Sequence, residues 1–407
     1  MALLGPMGRY ILTVLFPFLM KDPGWPRQTI GLAFTIHFWA YAFLAVLAGK
    51  MVDGIGGRAT IFLGGFLTLT GLLFLSFVKQ VWQFYLVFGI LMAAAVSMTH
   101  FVPNTAVATK WFIKKAGLAT GLVTVGSVTG FALLPPLLSQ LSSQWGWRAA
   151  CRFAAIGMGV LIMATAVLLI RNTPESMGLN PDGSPVTDPT EPNPSKSGGT
   201  QTGPAPLPLT TGQAVRTANF WYIFIAYAVM GIPLQGILGH VIIWSVELGV
   251  PAASSGLVFA ALTLPSIPVR IVAGWMGDRF GKRKVLVWFN LFTVAIWLLG
   301  WIIIKDRWTF LIFAVLLGLG YSAPFSLYTP FLGDVFGRLI VGTLMGILTF
   351  GHGIIGGLGP LLWGWIADRT GSYLLNCPIS ALCYLIVVVC LLLFKVPAEP
   401  VKSPGVA

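Results

Sequence analysis

Twelve apolar runs, each close to the roughly 20 residues a helix needs to cross a bilayer, constrain this chain more than any other feature. They fall at 1–20, 28–52, 59–78, 82–106, 115–142, 147–171, 217–246, 253–277, 283–304, 308–333, 341–366 and 372–396. The expected product is an all-α integral membrane protein with twelve transmembrane helices. The first run begins without a polar flank, a basic leader or a small-residue cleavage site, so a removable signal peptide is not expected. Only 9% of the 407 residues are charged, against about 25% in a soluble domain.

The net charge of +13 does not point to nucleic acid, because the basic residues sit at the ends of the apolar runs. Cys151, Cys377, Cys383 and Cys390 lie in or beside apolar runs without ligand spacing, so neither a disulfide framework nor a metal site is expected. No nucleophile–base pair or metal cluster suggests an enzyme, and no G-K-[ST] follows the glycines of 342–359, so neither a cofactor nor ATP is implied.

Of the 25 Lys and Arg residues, fifteen fall in the loops and ends on the side of the termini, eight on the other side, and Arg9 and Arg270 inside runs. By the positive-inside rule both ends are expected in the cytoplasm, with the chain in the cell (inner) membrane. One long loop, rich in Pro, Gly, Ser and Thr, reads as a cytoplasmic linker over 172–216. It divides an N-terminal six-helix bundle, 1–171, from a C-terminal one, 217–396, with a cytoplasmic tail at 397–407.

The two bundles repeat each other. An offset of 225 carries Gly24 and Pro26 onto Gly249 and Pro251, and Gly49, Asp53 and Arg58 onto Gly274, Asp278 and Arg283. It also carries Gly121, Gly126, Pro135 and Gly146 onto Gly346, Gly351, Pro360 and Gly371. Six spans per copy make the repeats parallel, an arrangement found in transporters that rock about a central site. Arg270 falls on Ala45 under this offset and so breaks the symmetry, as a substrate-specific residue would.

Gly49-Lys-Met-Val-Asp53-Gly-Ile-Gly56-Gly-Arg58 and Gly274-Trp-Met-Gly-Asp278-Arg279-Phe-Gly281-Lys282-Arg283 occupy matched loops. Their carboxylates can pair with a base in one state and release it in another, which makes Asp53, Arg58, Asp278, Arg279 and Arg283 candidate gating residues. These loops resemble the signature of the major facilitator superfamily, although Gly54 and Gly57 stand where basic residues are usual. The run Lys110-Trp-Phe-Ile-Lys114-Lys115-Ala-Gly-Leu-Ala-Thr-Gly121 is similar to the start of span five in its monocarboxylate porter and oxalate/formate antiporter group. Arg9-Tyr10 through Arg27, Arg216 through Trp221, and Gly364 through Tyr373 resemble further segments of the same group. The resemblance implies two six-helix pseudo-symmetric halves.

Arg270 lies about 12 Å along its helix from Asp278, well inside a hydrocarbon core about 30 Å thick. A charge there is costly unless it meets a partner or ligand, and none of the twelve acids lies at mid-membrane in the sequence. A guanidinium grips a carboxylate with two charge-assisted hydrogen bonds, and the group places a substrate-binding arginine in span eight. Animal monocarboxylate transporters carry an aspartate four residues earlier, where this chain has Ser266. Oxalate exchangers carry a lysine in span eleven, where this chain offers only His352.

Arg9, Tyr10, His100, Asn104, Tyr321, Phe325, Phe350 and His352 complete the candidate substrate-binding set. Arg9 either binds substrate or pairs near a helix end. For the aromatics, helix packing is the alternative. For His352, a proton carrier, it is a hydrogen-bonded core histidine, and His240 ranks below it. The expected function is secondary active transport of small monocarboxylates (lactate- or pyruvate-like), as a proton symport by alternating access, with the protein working as a monomer in the lipid bilayer. The alternative is an organic-anion exchanger of the oxalate/formate type with Arg9 as second cation.

Overall fold

The structure, a computed structural model, describes residues 4, 5, 7–111, 116–172, 174–179, 210–336 and 340–394. The tail, most of the linker, and the Phe112–Lys115 part of the span-five start lie outside the described residues, as do the side chains of Asp53 and Lys110. The protein is all-α. Among the described residues, ten helical segments are long and apolar enough to cross a membrane. The other two expected runs are Met7–Lys21 (span one) and Ala116–Trp145 (span five), both helical.

The remaining spans are Arg27–Val52 (two), Gly57–Leu75 (three), Val81–Ala108 (four), Trp147–Leu168 (six), Ala218–Glu247 (seven), Gly256–Phe280 (eight), Lys282–Ile303 (nine), Arg307–Phe336 (ten), Thr343–Thr370 (eleven) and Asn376–Leu393 (twelve). Their faces toward lipid carry exposed Leu, Ile, Phe and Trp, as bilayer solvation allows.

The backbone itself repeats. Gly24, Gly56 and Gly146 adopt φ of 84°, 88° and 80°, and Gly249, Gly281 and Gly371 adopt 89°, 90° and 70°. These pairs share the 225-residue offset, so the same turns punctuate both halves with the residue that tolerates them. Span one packs on span seven, span two on span eleven, and span five on span eight, so each contact joins one half to the other. At the first contact equivalent residues meet: Tyr10 donates to Gln235, and Thr13 Oγ1 donates to the Leu238 carbonyl at 2.9 Å. Residues separated by one repeat touch each other only along the pseudo-two-fold axis.

The halves are tied most strongly at the face opposite the termini. The Arg27 guanidinium, at the start of span two, bonds Glu247 at the end of span seven and Asp368 near the end of span eleven. The Gln28 backbone N–H donates to Asp368 Oδ2 at 2.7 Å. Deeper in, Thr35 donates to the Gly357 carbonyl at 2.7 Å and Trp39 to the Ile354 carbonyl at 2.9 Å. Toward the terminal face Phe43 meets Phe350 edge to face, and among the described residues no hydrogen bond or ion pair joins the halves beyond that pair.

Candidate functional site

Among the described residues, five spans lose regular α-helix along their length. Span four contains a π segment, Tyr85–Leu91, and breaks at His100, whose φ and ψ are −92° and −132°. Span seven is interrupted at Met230, span eight at Leu264–Pro265 and span ten at Ser322. Span eleven passes through a second π segment, His352–Gly356, before Gly359. Irregular backbone at membrane depth survives only where protein or a polar cavity supplies its hydrogen bonds. Most of the candidate residues lie at or near these interruptions.

Arg270 lies about one helical turn beyond the break in span eight. Its guanidinium carbon stands 5.9 Å from the Phe325 ring centre, and Tyr227 and Tyr321 are within electrostatic reach. Its Nε is buried without a hydrogen-bond partner. Ser266, one turn earlier, donates to the Thr263 carbonyl at 2.6 Å and lies within reach of Tyr321.

Arg9 projects from span one and is only 8% exposed. Its guanidinium carbon lies 4.7 Å from the Phe38 ring centre and 4.0 Å from that of Tyr41, while Nε and Nη2 have no hydrogen-bond partner. His37, His100 and His352 all feel its charge. The carboxylates of Asp22, Glu247, Asp306 and Asp368 lie at one end of the bundle, and those of Asp278 and Asp334 at the other. Among the described residues no acid faces either arginine. Two guanidiniums with buried, unpartnered nitrogens and no counter-charge among the described residues make a site that favours an anion.

Between the arginines runs a hydrogen-bonded chain. Tyr10 Oη donates to Gln235 Oε1 at 3.2 Å, and Gln235 Nε2 donates to His352 Nε2 at 3.2 Å. His352 Nδ1 donates to the Tyr227 carbonyl at 3.0 Å. Span one, span seven and span eleven are thereby linked through buried atoms.

Arg270, Tyr321, Phe325, His352, Tyr10 and Arg9 therefore gather in one central region. Asn104 is buried beside it, but its amide nitrogen donates to the Thr99 and His100 carbonyls and so satisfies the break in span four. His100 touches Tyr41, with Nδ1 3.5 Å from its hydroxyl. Phe350 stands apart, half-exposed against Phe43. His240 is held by the Tyr373 hydroxyl and the Pro360 carbonyl, each at 2.8 Å, as a core histidine.

The matched loops lie at the terminal face. Arg283 donates to the Leu391 and Leu392 carbonyls, each at 2.8 Å, and so caps the end of span twelve. Lys282 pairs with Asp334 at 2.6 Å, Arg279 lies over Trp275 and Phe280, and Asp278 is exposed. The Arg58 backbone N–H donates to Asn172 Oδ1 at 2.9 Å.

Sequence reasoning passed over Gln235, Tyr227, Tyr41 and the Arg27–Glu247–Asp368 cluster. A signal existed for Gln235, because the repeat offset places it opposite Tyr10. Nothing in the sequence pointed Arg27 toward two acids more than two hundred residues away.

A family model described as Major Facilitator Superfamily matches residues 1–263 and 237–407. The MFS transporter asaE of Aspergillus flavus is 25% identical over 83% of this chain and 70% of its own length. Monocarboxylate transporter 12-B of Danio rerio is 25% identical over 81% of this chain and 70% of its own. Monocarboxylate transporter 11 of Homo sapiens is 25% identical over 78% of this chain and 64% of its own.

Proposed function

Because the chain belongs to the major facilitator superfamily, we propose that it is a secondary active transporter of small monocarboxylates of the lactate and pyruvate kind. A proton moves with the substrate by alternating access between the halves 1–171 and 217–396, joined by the linker 172–216. The observation that carries this reading is Arg270, a half-buried side chain whose Nε is buried and unpartnered, with no facing acid among the described residues. A carboxylate supplies the missing charge and acceptors. Phe325, Tyr321 and Tyr227 contribute the walls around a short carbon chain, and the similarity to monocarboxylate transporters 12-B and 11 supports the substrate class.

With both termini in the cytoplasm of a cell with this protein in its inner membrane, the Arg27 cluster closes the outer face and the pathway opens inward. Substrate on Arg270 removes the bare charge from the site. The cost of passing through the occluded conformation then falls, which links binding to rocking. The proton rides on His352 or enters with the acid itself, and a single chain suffices.

Uptake of radiolabelled L-lactate into proteoliposomes under an inward proton gradient, for wild type and Arg270→Ala, tests the reading. Gradient-driven uptake that disappears in the variant is the expected result. No lactate movement in the wild type would remove the substrate assignment. A second reading is favoured by the free Nε and Nη2 of Arg9: an organic-anion exchanger, with dianions of the oxalate type bridging the two arginines. It predicts uptake only into vesicles preloaded with anion.

A further inference from the structure

We propose that the Gln235 carboxamide is a positioning residue that converts a proton on His352 into an additional hydrogen-bond donor at the anion site. The inference rests on the proposed proton coupling. Gln235 is 7% exposed and bonds one group in each half, Tyr10 in span one and His352 in span eleven.

The direction of every bond in the chain follows from one carbonyl. His352 Nδ1 lies 3.0 Å from the Tyr227 carbonyl oxygen, which only accepts, so Nδ1 carries a hydrogen. In the neutral imidazole Nε2 is then an acceptor, and Gln235 Nε2 donates to it. That orientation turns Gln235 Oε1 to Tyr10, whose hydroxyl donates.

A proton added to His352 Nε2 would set two N–H groups against each other across 3.2 Å. A half-turn of the carboxamide removes the conflict. Its oxygen then accepts from His352 and its nitrogen donates to Tyr10 Oη, so the phenol hydrogen turns away from Gln235. Tyr10 is within electrostatic reach of Arg9 and Tyr321, and Tyr321 of Arg270. The O–H then points into the region these groups share, where a carboxylate held among them accepts from it. No covalent bond changes other than the new N–H on His352.

Among the described residues, the charged or titratable groups around His352 are Tyr227 of span seven, whose ring centre lies 5.2 Å from the imidazole, and Arg9 of span one, with Tyr10 reached through Gln235. Span ten presents Phe325, and span two sets Phe38, Trp39 and Ala42 against the same turn of span eleven. A carboxylate on any of these neighbours would hold the proton permanently, and none carries one.

The test uses full-length protein in lipid nanodiscs. Nitrogen-15 NMR of the imidazoles, with His352→Gln as the assignment control, is expected to show neutral His352 protonated at Nδ1. The opposite tautomer overturns the relay. The Gln235 side-chain amide, assigned with Gln235→Met, is expected to shift on acidification with the same midpoint as His352, and an unrelated midpoint overturns it too. Equilibrium binding of L-lactate, which stays ionised between pH 5.5 and 7.5, is expected to tighten about tenfold at the lower pH, the worth of one hydrogen bond to a charged group. That dependence is expected to vanish in Gln235→Met and in Tyr10→Phe. A tenfold dependence kept by either variant refutes the proposal. If the wild type binds no lactate, the substrate reading fails, while the two NMR results still decide the relay.

Discussion

Replacing Gly31 by alanine is expected to part spans two and eleven at the face opposite the termini and bias the protein toward its other conformation. A Cβ on Gly31 would lie 2.5 Å from the Pro360 carbonyl oxygen, 3.0 Å from the carbonyl carbon and 3.2 Å from the Leu361 Cα. All three are backbone atoms, so no side chain can rotate out of the way. Restoring an ordinary 3.4 Å contact requires the helices to move apart by roughly 0.9 Å. Overpacking of this kind costs about 1–3 kcal/mol, and only in the conformation where the two spans touch. At 1.4 kcal/mol per decade, the ratio of conformations shifts about 5- to 150-fold.

The assay is the labelling rate of Leu238→Cys by a membrane-impermeant maleimide supplied at that face, with Cys151, Cys377, Cys383 and Cys390 replaced by serine. Leu238 is only 6% exposed, beside Thr13 at the contact of spans one and seven, so it reacts only when the halves separate there. A rate at least fivefold higher in Gly31→Ala is expected. An unchanged rate in a monodisperse protein would refute the reasoning, because the alanine would then fit without moving the helices. Gly364→Ala, whose Cβ would approach the Arg27 carbonyl oxygen to 2.8 Å, is expected to act in the same direction.

Other outcomes follow from the site. Arg270→Lys keeps the charge but loses the planar fork, and kcat/KM for lactate is expected to fall about 10- to 100-fold in initial-rate uptake. Ser266→Asp places a carboxylate one helical turn before Arg270, and competition for the guanidinium is expected to raise the KM for lactate at neutral pH and relieve it on acidification. His240→Phe breaks bonds to Tyr373 and Pro360 and is expected to destabilise the protein by about 1–3 kcal/mol in thermal unfolding, without moving the pH profile of transport. Arg27→Gln leaves Glu247 and Asp368 without their shared cation and is expected to raise the Leu238→Cys labelling rate as well.

The spans were legible because length and hydropathy are local properties, and the repeat because one offset held across matched glycines. Arg270 was legible for a related reason: one arginine in an apolar run near a break-prone Pro-Ser-Ile-Pro stretch stands out without any knowledge of its neighbours. The helix interruptions were less visible. His100 and Ser322 end helical segments in sequences that hydropathy reads as continuous, and the π segments carry no composition of their own. The role of Asn104 was hidden for the same cause, since a side chain that satisfies a broken helix has meaning only once the break is known. Arg27 and Gln235 depend on partners brought close by tertiary packing. For Gln235 the repeat already held the answer, because a residue near the axis has its own equivalent as a neighbour.

The meeting of equivalent residues along that axis also limits how the site could have been built from identical parts. In a strictly symmetric pair of halves, the side chain at the Tyr10 position would face a copy of itself, and any bond there would need a group that both donates and accepts. A phenol against a carboxamide is a division of labour that two identical copies cannot make. Fusing the halves into one chain allows each position to mutate alone, so that one side supplies a hydroxyl and the other an amide with an imidazole behind it. The direction that hydrogen bonds acquire across the centre of this molecule is therefore one that only non-identical halves can have.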